Sequence, residues 1–173
     1  MISMGGSSRQ SLAALRSALD SSLKGASSGD CSHLSSDLFS ALGALESSAG
    51  LRRALTDPAR DVAAKSNLVS DLFKSVLKGP ALALLTQAAG LRWSSPADFA
   101  DAIEQLAVEA ESAAANSENK LDSLLDELFG FSKSLVENPD LRSALTNSGD
   151  TLVRKIELTK SIFGAKFGSH TIS

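Results

Sequence analysis

The sequence predicts an all-α fold, in which a six-helix bundle is followed by a second, incomplete copy of the same helical unit. Leucine, alanine and serine are abundant, whereas aromatic residues make up 5% of the chain and tyrosine is absent. This composition favours helices over strands. Leucines recur at intervals of three and four residues along most of the chain, which is typical of one face of an amphipathic helix. A segment of 36 residues also occurs twice.

The repeated segment covers residues 38–73 and 128–163, an offset of 90 residues without a gap. Eleven of the 36 aligned positions are identical, where chance in such a composition gives roughly three. We interpret the repeat as a duplication. It predicts a six-helix bundle over residues 1–115 and an incomplete second repeat over residues 96–173, with the helix at 96–115 shared between them.

Proline and glycine separate the predicted helices of the first unit. Asp57-Pro58 and Gly79-Pro80 are breaks, because proline has no N–H and restricts the residue before it. Ser95-Pro96-Ala97-Asp98 indicates a helix start, with serine as the N-cap and proline at the first position. We also expect a Gly/Ser-rich connector over residues 24–32. The predicted helices begin near residues 9, 34, 51, 62, 81 and 96.

The second unit repeats this plan and then stops. Helices are predicted from residue 121, from Asn138-Pro139 and over residues 151–163. Residues 164–173 have no helical period and no cap, so we expect an aberrant tail there. The unit would then lack its last two helices, and we expect its apolar residues to be incompletely buried.

Charge and composition argue against several classes of protein. The net charge is −3 and no region has a basic excess, so we expect no nucleic-acid binding. Cys31 is the one cysteine, which favours a reducing compartment. The longest apolar run, residues 80–85, is far too short to span a bilayer, and the polar start of the chain lacks the apolar stretch of a secretory signal. We therefore expect no direct membrane insertion.

The sequence contains no set of residues typical of catalysis, and we expect no catalytic, cofactor-binding or metal-binding residue. Cys31 and His33 beside Asp30 are too few for a metal site. No G-x-S-x-G motif accompanies His170, and no glycine-rich phosphate loop is present. An all-helical enzyme would need convergent charged groups inside the bundle, and the stripes are apolar instead.

Several repeated or unusual residues receive structural interpretations. Lys65 and Lys155 are equivalent in the repeat, and we expect each to be solvated or to pair along its helix, with binding of a carboxylate as the alternative. Arg52 and Arg142 are also equivalent, and we expect them to close helix ends or to pair with a carboxylate. Trp93 is expected to fill the core between helices.

Five short motifs, in this order and spacing, resemble the delta subunit of the bacterial F-type ATP synthase, a family that includes the mitochondrial oligomycin-sensitivity-conferring protein. The duplicated actinobacterial form is the most similar. The resemblance covers residues 8–163, and the motifs are residues 51–58 (LRRALTDP) with Lys65, 91–94 (LRWS), 101–104 (DAIE), 126–131 (DELFGF) and 138–145 (NPDLRSAL).

The resemblance implies a non-catalytic subunit of the peripheral stalk, or stator, which links the catalytic head of the synthase to the membrane-anchored stalk. It implies a peripheral location at the cytoplasmic face of the cell membrane. It also implies two partners, the N-terminal helix of an alpha subunit and the stalk b subunit. The alpha-subunit helix would lie in a groove between the first and fifth helices, lined by Leu12, Leu15, Leu19, Leu82, Leu85 and Leu91. From the residues alone, a position in the core is the alternative for these leucines.

The chain departs from the family pattern after Phe163. The family continues with the rest of the second unit and a domain that holds the stalk helices, so the contact region for the b subunit is expected to be missing and the chain to be C-terminally truncated. Two alternatives therefore stay open for the function. The chain could be a generic helical adaptor, or a non-functional truncated delta subunit.

Overall fold

The computed structural model describes residues 4–147 and 149–172, and within them every regular element is a helix. This confirms the predicted all-α class. The ten helices of this part of the chain are α1 (Gly6–Leu23), α2 (Ser28–Ser47), α3 (Ala49–Thr56), α4 (Val62–Phe73), α5 (Gly79–Gly90), α6 (Pro96–Ser117), α7 (Leu121–Glu137), α8 (Pro139–Thr146), α9 (Leu152–Phe163) and α10 (Ser169–Ile172). Contacts divide the chain into two units, Met1–Ala114 and Ala115–Ser173.

In the first unit, α1 to α6 bury their apolar stripes in one core. Helix α5 packs against α1, α2 and α4. Its buried residues, Ala81, Leu84, Leu85, Ala88 and Ala89, recur at helical spacing and form one apolar face. Each of the six helices contributes at least one fully buried side chain to this core, for example Leu15, Leu38, Leu55, Val69, Leu85 and Phe99.

Caps at the helix starts fix two of the boundaries. The Ser95 hydroxyl accepts the Asp98 N–H at 3.1 Å, as the sequence predicted. Ser27 and Asp30 form a reciprocal capping box, so α2 begins at Ser28 inside the segment expected to be a connector. The prediction of a connector over residues 24–32 is therefore wrong for its second half, because the capping box satisfies the free N–H groups of an additional helical turn.

The turn between α5 and α6 is held against the start of α1. The Ser94 N–H donates to the Ser8 hydroxyl at 2.8 Å, and the Ser11 hydroxyl donates to the Arg92 carbonyl at 2.6 Å. Trp93 lies half-buried in this turn and packs against the core, as predicted. Its ring meets Phe99 edge to face, with the ring centres 5.4 Å apart.

Helices of the second unit have bounds that match the first unit at the offset of the sequence repeat. Helix α8 spans 139–146 against 49–56 for α3, and α9 spans 152–163 against 62–73 for α4. The apolar side chains of the second unit are less buried than those of the first unit. Leu124 and Phe163 are the only large hydrophobic residues of the described second unit that are almost fully buried.

The tail is more ordered than the sequence predicted. Residues 164–172 continue in turns and end in α10, which starts 90 residues after α5 (169 against 79). Phe167 stacks on Phe163 with ring centres 4.9 Å apart, and the Gly168 N–H donates to the Glu127 carboxylate at 2.8 Å. The prediction of an aberrant tail over 164–173 is therefore wrong for residues 164–172. Although this segment has no helical period of apolar residues, aromatic packing and hydrogen bonds to α7 hold it in place.

Candidate functional site

The six leucines predicted to line a partner groove lie at two different depths. Leu12, Leu15 and Leu19 of α1 and Leu85 of α5 are buried in the first unit. Leu82 of α5 and Leu91, which follows α5, are partly buried and pack against the same core from outside. Leu82 and Leu91 therefore keep apolar surface that a partner helix could contact, whereas the other four leucines are core residues. Leu12 packs with Met4 and Ala102.

A cavity lies between residues of α1 and Gln105 of α6. It has a volume of about 640 Å³, and its lining includes Met4, Leu12, Ala13 and Gln105. Arg16 stands at its rim and donates hydrogen bonds to the carboxylate of Glu109 and, at 3.2 Å, to Gln105. The hydrogen bond to Glu109 raises the pKa of the Arg16 guanidinium, against the effect of its partial burial. The sequence contains no signal of this cavity, because its lining joins residues of α1 with Gln105, which is distant along the chain.

A second cavity, of about 420 Å³, lies where the ends of α3 and α5 approach the start of α4. We call it the Lys65 cavity, after the side chain that is buried in its wall. Lys65 is 4% exposed, so the expectation that it is solvated is wrong. Its position four residues before Val69 and eight before Phe73 places it on the buried stripe of α4, and that spacing was visible in the sequence. Other lining residues are Thr56, Arg60, Leu91, Arg92 and Trp93.

Arg52 closes a helix end, as predicted. Its guanidinium donates hydrogen bonds to the carbonyl oxygens of Leu45 and, at 3.0 Å, of Glu46 at the C-terminal end of α2. These carbonyls have no partner inside the helix. Within the described residues, the side chain of the equivalent Arg142 makes no such bond. The two arginines are thus equivalent in sequence and different in contact.

Cys31 and His33 lie on the first turns of α2 rather than in a connector. Burial, followed by the charge of Asp30, raises the pKa of the Cys31 thiol, so the thiolate is disfavoured there. In the part of the chain that the structure describes, no group of three histidine, cysteine or acidic residues could hold a metal ion. Among the same residues, no helix combines the length and the apolar character needed to cross a membrane.

Curated relatives match this chain over nearly its whole length. ATP synthase subunit delta of Streptomyces coelicolor is 38% identical over 166 residues, which is 96% of this chain and 60% of that protein. The subunits of the same name from Streptomyces avermitilis and Thermobifida fusca are 39% and 34% identical over 161 and 170 residues. No family model matches the chain.

The extent of these matches bears on the end of the chain. The similarity to the Thermobifida fusca protein covers 98% of this chain, so it extends beyond Phe163 into the segment expected to be aberrant. The chain spans about three fifths of the length of the curated relatives it matches. Over the part of those relatives that it spans, the chain is similar to ATP synthase delta subunits.

Proposed function

We propose that the chain acts as a non-catalytic subunit of the peripheral stalk of an F-type ATP synthase, linking the catalytic head to the membrane-anchored stalk. In this role it lies at the cytoplasmic face of the cell membrane as a peripheral protein. The observation that carries the proposal is the similarity to proteins named ATP synthase subunit delta along 93% to 98% of the chain.

The structure of the first unit is suited to such a mechanical role. Six helices surround one continuous apolar core, in which large side chains such as Leu38, Leu85 and Phe99 are fully buried. A well-packed core resists deformation, because its side chains have few voids to move into. A stalk subunit needs this stiffness to transmit force, and it needs a surface for each partner.

The partner we propose for the first unit is the N-terminal helix of the alpha subunit, lying between α1 and α5. Leu82 and Leu91 are partly buried apolar side chains, and an amphipathic helix binds by laying its apolar face against such side chains. We propose the stalk b subunit as a second partner of the complete delta subunit, with its contact region outside the part of the relatives that this chain spans.

Binding to the head of the synthase tests the proposal. The chain is mixed with the purified catalytic head of a Streptomyces synthase, and co-migration is measured by sedimentation. The variant Leu82→Glu places a charge on the proposed groove and should weaken binding about tenfold or more, since an unpaired charge in an apolar contact costs more than 1.4 kcal/mol.

Leu125→Glu serves as the matched control, because Leu125 is an exposed leucine of the second unit and should leave binding unchanged. Loss of binding in Leu82→Glu alone supports the proposed groove. Equal binding by Leu82→Glu and the unmodified chain would place the contact elsewhere. Failure of the folded, unmodified chain to bind the head would contradict the stalk function itself.

A further inference from the structure

The Lys65 cavity brings three cations to one place. Lys65 lies in its wall and is 4% exposed, and Arg60 and Arg92 line the same cavity. Thr56 and Ser7 add hydroxyl groups to the lining, and Trp93 adds an aromatic surface. The cavity therefore combines positive charge, hydrogen-bond donors and partial enclosure.

No carboxylate of the described residues is among the lining residues of this cavity. None of Lys65, Arg60 and Arg92 forms an ion pair within residues 4–147 and 149–172. Asp57 and Asp61 occur in the neighbouring loop, but neither lines the cavity. Asp57 instead accepts the N–H of Ala59 at 2.9 Å.

A buried cation without a partner is costly. Removing an ammonium group from water loses hydration, and only an opposite charge or good hydrogen bonds restore that free energy. Arg60 and Arg92 are exposed and add positive charge to the lining of the same cavity. An anion that enters the cavity would be attracted by all three groups and would find donors already in place.

The second unit provides an internal comparison. Lys155 is the counterpart of Lys65 in the repeat, and it also lines a cavity. There the position equivalent to Arg60 is Asp150, which lines the same cavity and pairs with Arg154 at 3.3 Å. The second unit thus contains its own carboxylate where the first unit has an additional cation.

From this contrast we infer that the Lys65 cavity is a binding site for an external oxyanion, a carboxylate or a phosphate group. Lys65, Arg60 and Arg92 provide both the charge and the hydrogen-bond donors. Asp150 lines the cavity of Lys155, whereas the described lining of the Lys65 cavity includes no carboxylate. The inference concerns the first unit alone and does not depend on the proposed stalk function.

Trp93 makes the site measurable. It is the one tryptophan of the chain, and tyrosine is absent, so fluorescence emission reports directly on the cavity wall. Sodium phosphate and sodium N-acetylglutamate are titrated separately into the full chain, with sodium chloride at equal ionic strength as the reference. We expect a saturable change in emission with one or both probes, with a dissociation constant on the order of 1 mM.

Three variants test the assignment of the charges. Lys65→Met keeps the apolar stem and should raise the dissociation constant about tenfold or more, because a hydrogen bond to a charged group is lost. Arg60→Asp copies the arrangement of the second unit and should abolish the response. Lys155→Met is the matched control and should titrate like the unmodified chain. Circular dichroism verifies that each variant is folded.

The outcomes distinguish a phosphate ligand, a carboxylate ligand and the absence of a site. Saturation by phosphate alone identifies a phosphate ligand, and saturation by N-acetylglutamate alone identifies an acidic side chain of a partner protein; both results support the site. The absence of a saturable response beyond that of chloride overturns the inference. A response that Lys65→Met and Arg60→Asp leave unchanged overturns it as well.

Discussion

Arg52 donates from its guanidinium to the carbonyl oxygen of Leu45, across the break between α2 and α3. A second bond to the Glu46 carbonyl, at 3.0 Å, uses the same nitrogen. The last carbonyls of a helix have no partner within it, so a cationic donor there both satisfies them and complements the helix dipole. Arg52 therefore stabilises the point at which the chain turns from the long second helix into the short third one.

The contact predicts an asymmetry between the two copies of the repeat. Arg52→Met should lower the free energy of unfolding of the first unit by about 1–2 kcal/mol, since it removes charge-assisted hydrogen bonds. Arg142→Met is the matched control. It should cost less than about 0.5 kcal/mol, as expected of a surface substitution. Urea unfolding followed by Trp93 emission measures the first unit, and circular dichroism follows the whole chain. Equal losses in both variants would contradict this assignment.

Much of the fold of the first unit could be predicted because its signals are local. Proline at positions 58, 80 and 96 fixes breaks and a start, and the spacing of leucines identifies the buried face of each helix. The start of α2 was missed, because glycine and serine around Gly29 indicated a loop while the Ser27–Asp30 capping box indicated a helix. The capping box determined the observed boundary.

The two cavities could not be predicted from the sequence, for a different reason. The Lys65 cavity is lined by residues from three separated stretches of the chain, represented by Ser7, Lys65 and Arg92. Their proximity depends on how the helix ends meet, which no local pattern contains. The burial of Leu15, Leu19 and Leu85 follows from the same packing, because α1 and α5 turn their leucine stripes toward the core.

Leu55 should be far more sensitive to truncation than its counterpart in the second unit. Its side chain is fully buried, whereas Leu145 is only partly buried. Leu55→Ala should therefore cost about 2–5 kcal/mol through lost burial and the cavity left behind. Leu145→Ala should cost less than about 1.5 kcal/mol. Thermal unfolding by circular dichroism and Trp93 emission distinguishes the two. A cost well below about 1 kcal/mol for Leu55→Ala would show that the site collapses around the smaller side chain.

Asp98 should make the first unit sensitive to acid. Burial opposes its ionisation, but hydrogen bonds from Ser8, Ser95 and the Gly5 N–H outweigh burial and hold the pKa of the Asp98 carboxyl below its usual value. A carboxyl with a lowered pKa contributes stability above its unfolded pKa of about 3.8, and this contribution is lost as the pH falls through the folded pKa. The loss of stability between pH 6 and pH 3 should therefore be smaller in Asp98→Asn than in the unmodified chain.

Asp101 is the matched control for Asp98, because its pKa is shifted in the opposite direction. Burial and the charge of Asp98 raise the pKa of the Asp101 carboxyl. Its ionised form is therefore unfavourable in the folded chain, and Asp101→Asn should stabilise the first unit at pH 6 but not at pH 3. Urea midpoints from Trp93 emission at the two pH values measure both variants. An unchanged acid response in Asp98→Asn would show that its hydrogen bonds do not favour the charged form.

The second unit should be the less stable part of the chain and should promote self-association. Several of its large apolar side chains are exposed, among them Phe129 at 75%, Val136 at 71% and Ile156 at 43%. Backbone hydrogen bonds near few buried contacts open readily, so amides of residues 121–163 should exchange faster than those of residues 8–115. Exposed apolar residues at such density favour contact with a second copy, because burying them against each other removes them from water.

Two measurements on two chains test this prediction. Hydrogen exchange and sedimentation equilibrium are compared for the full chain and for a chain ending at Ala115. The shorter chain should be monomeric, and the full chain should form concentration-dependent dimers. Phe129→Ser with Val136→Ser, which keeps both residues on the exposed face of α7 while removing apolar surface, should reduce that association. A monomeric full chain with uniform protection would show instead that the packing around Leu124 and Phe163, the two buried anchors of this unit, is sufficient to hold the second unit together by itself.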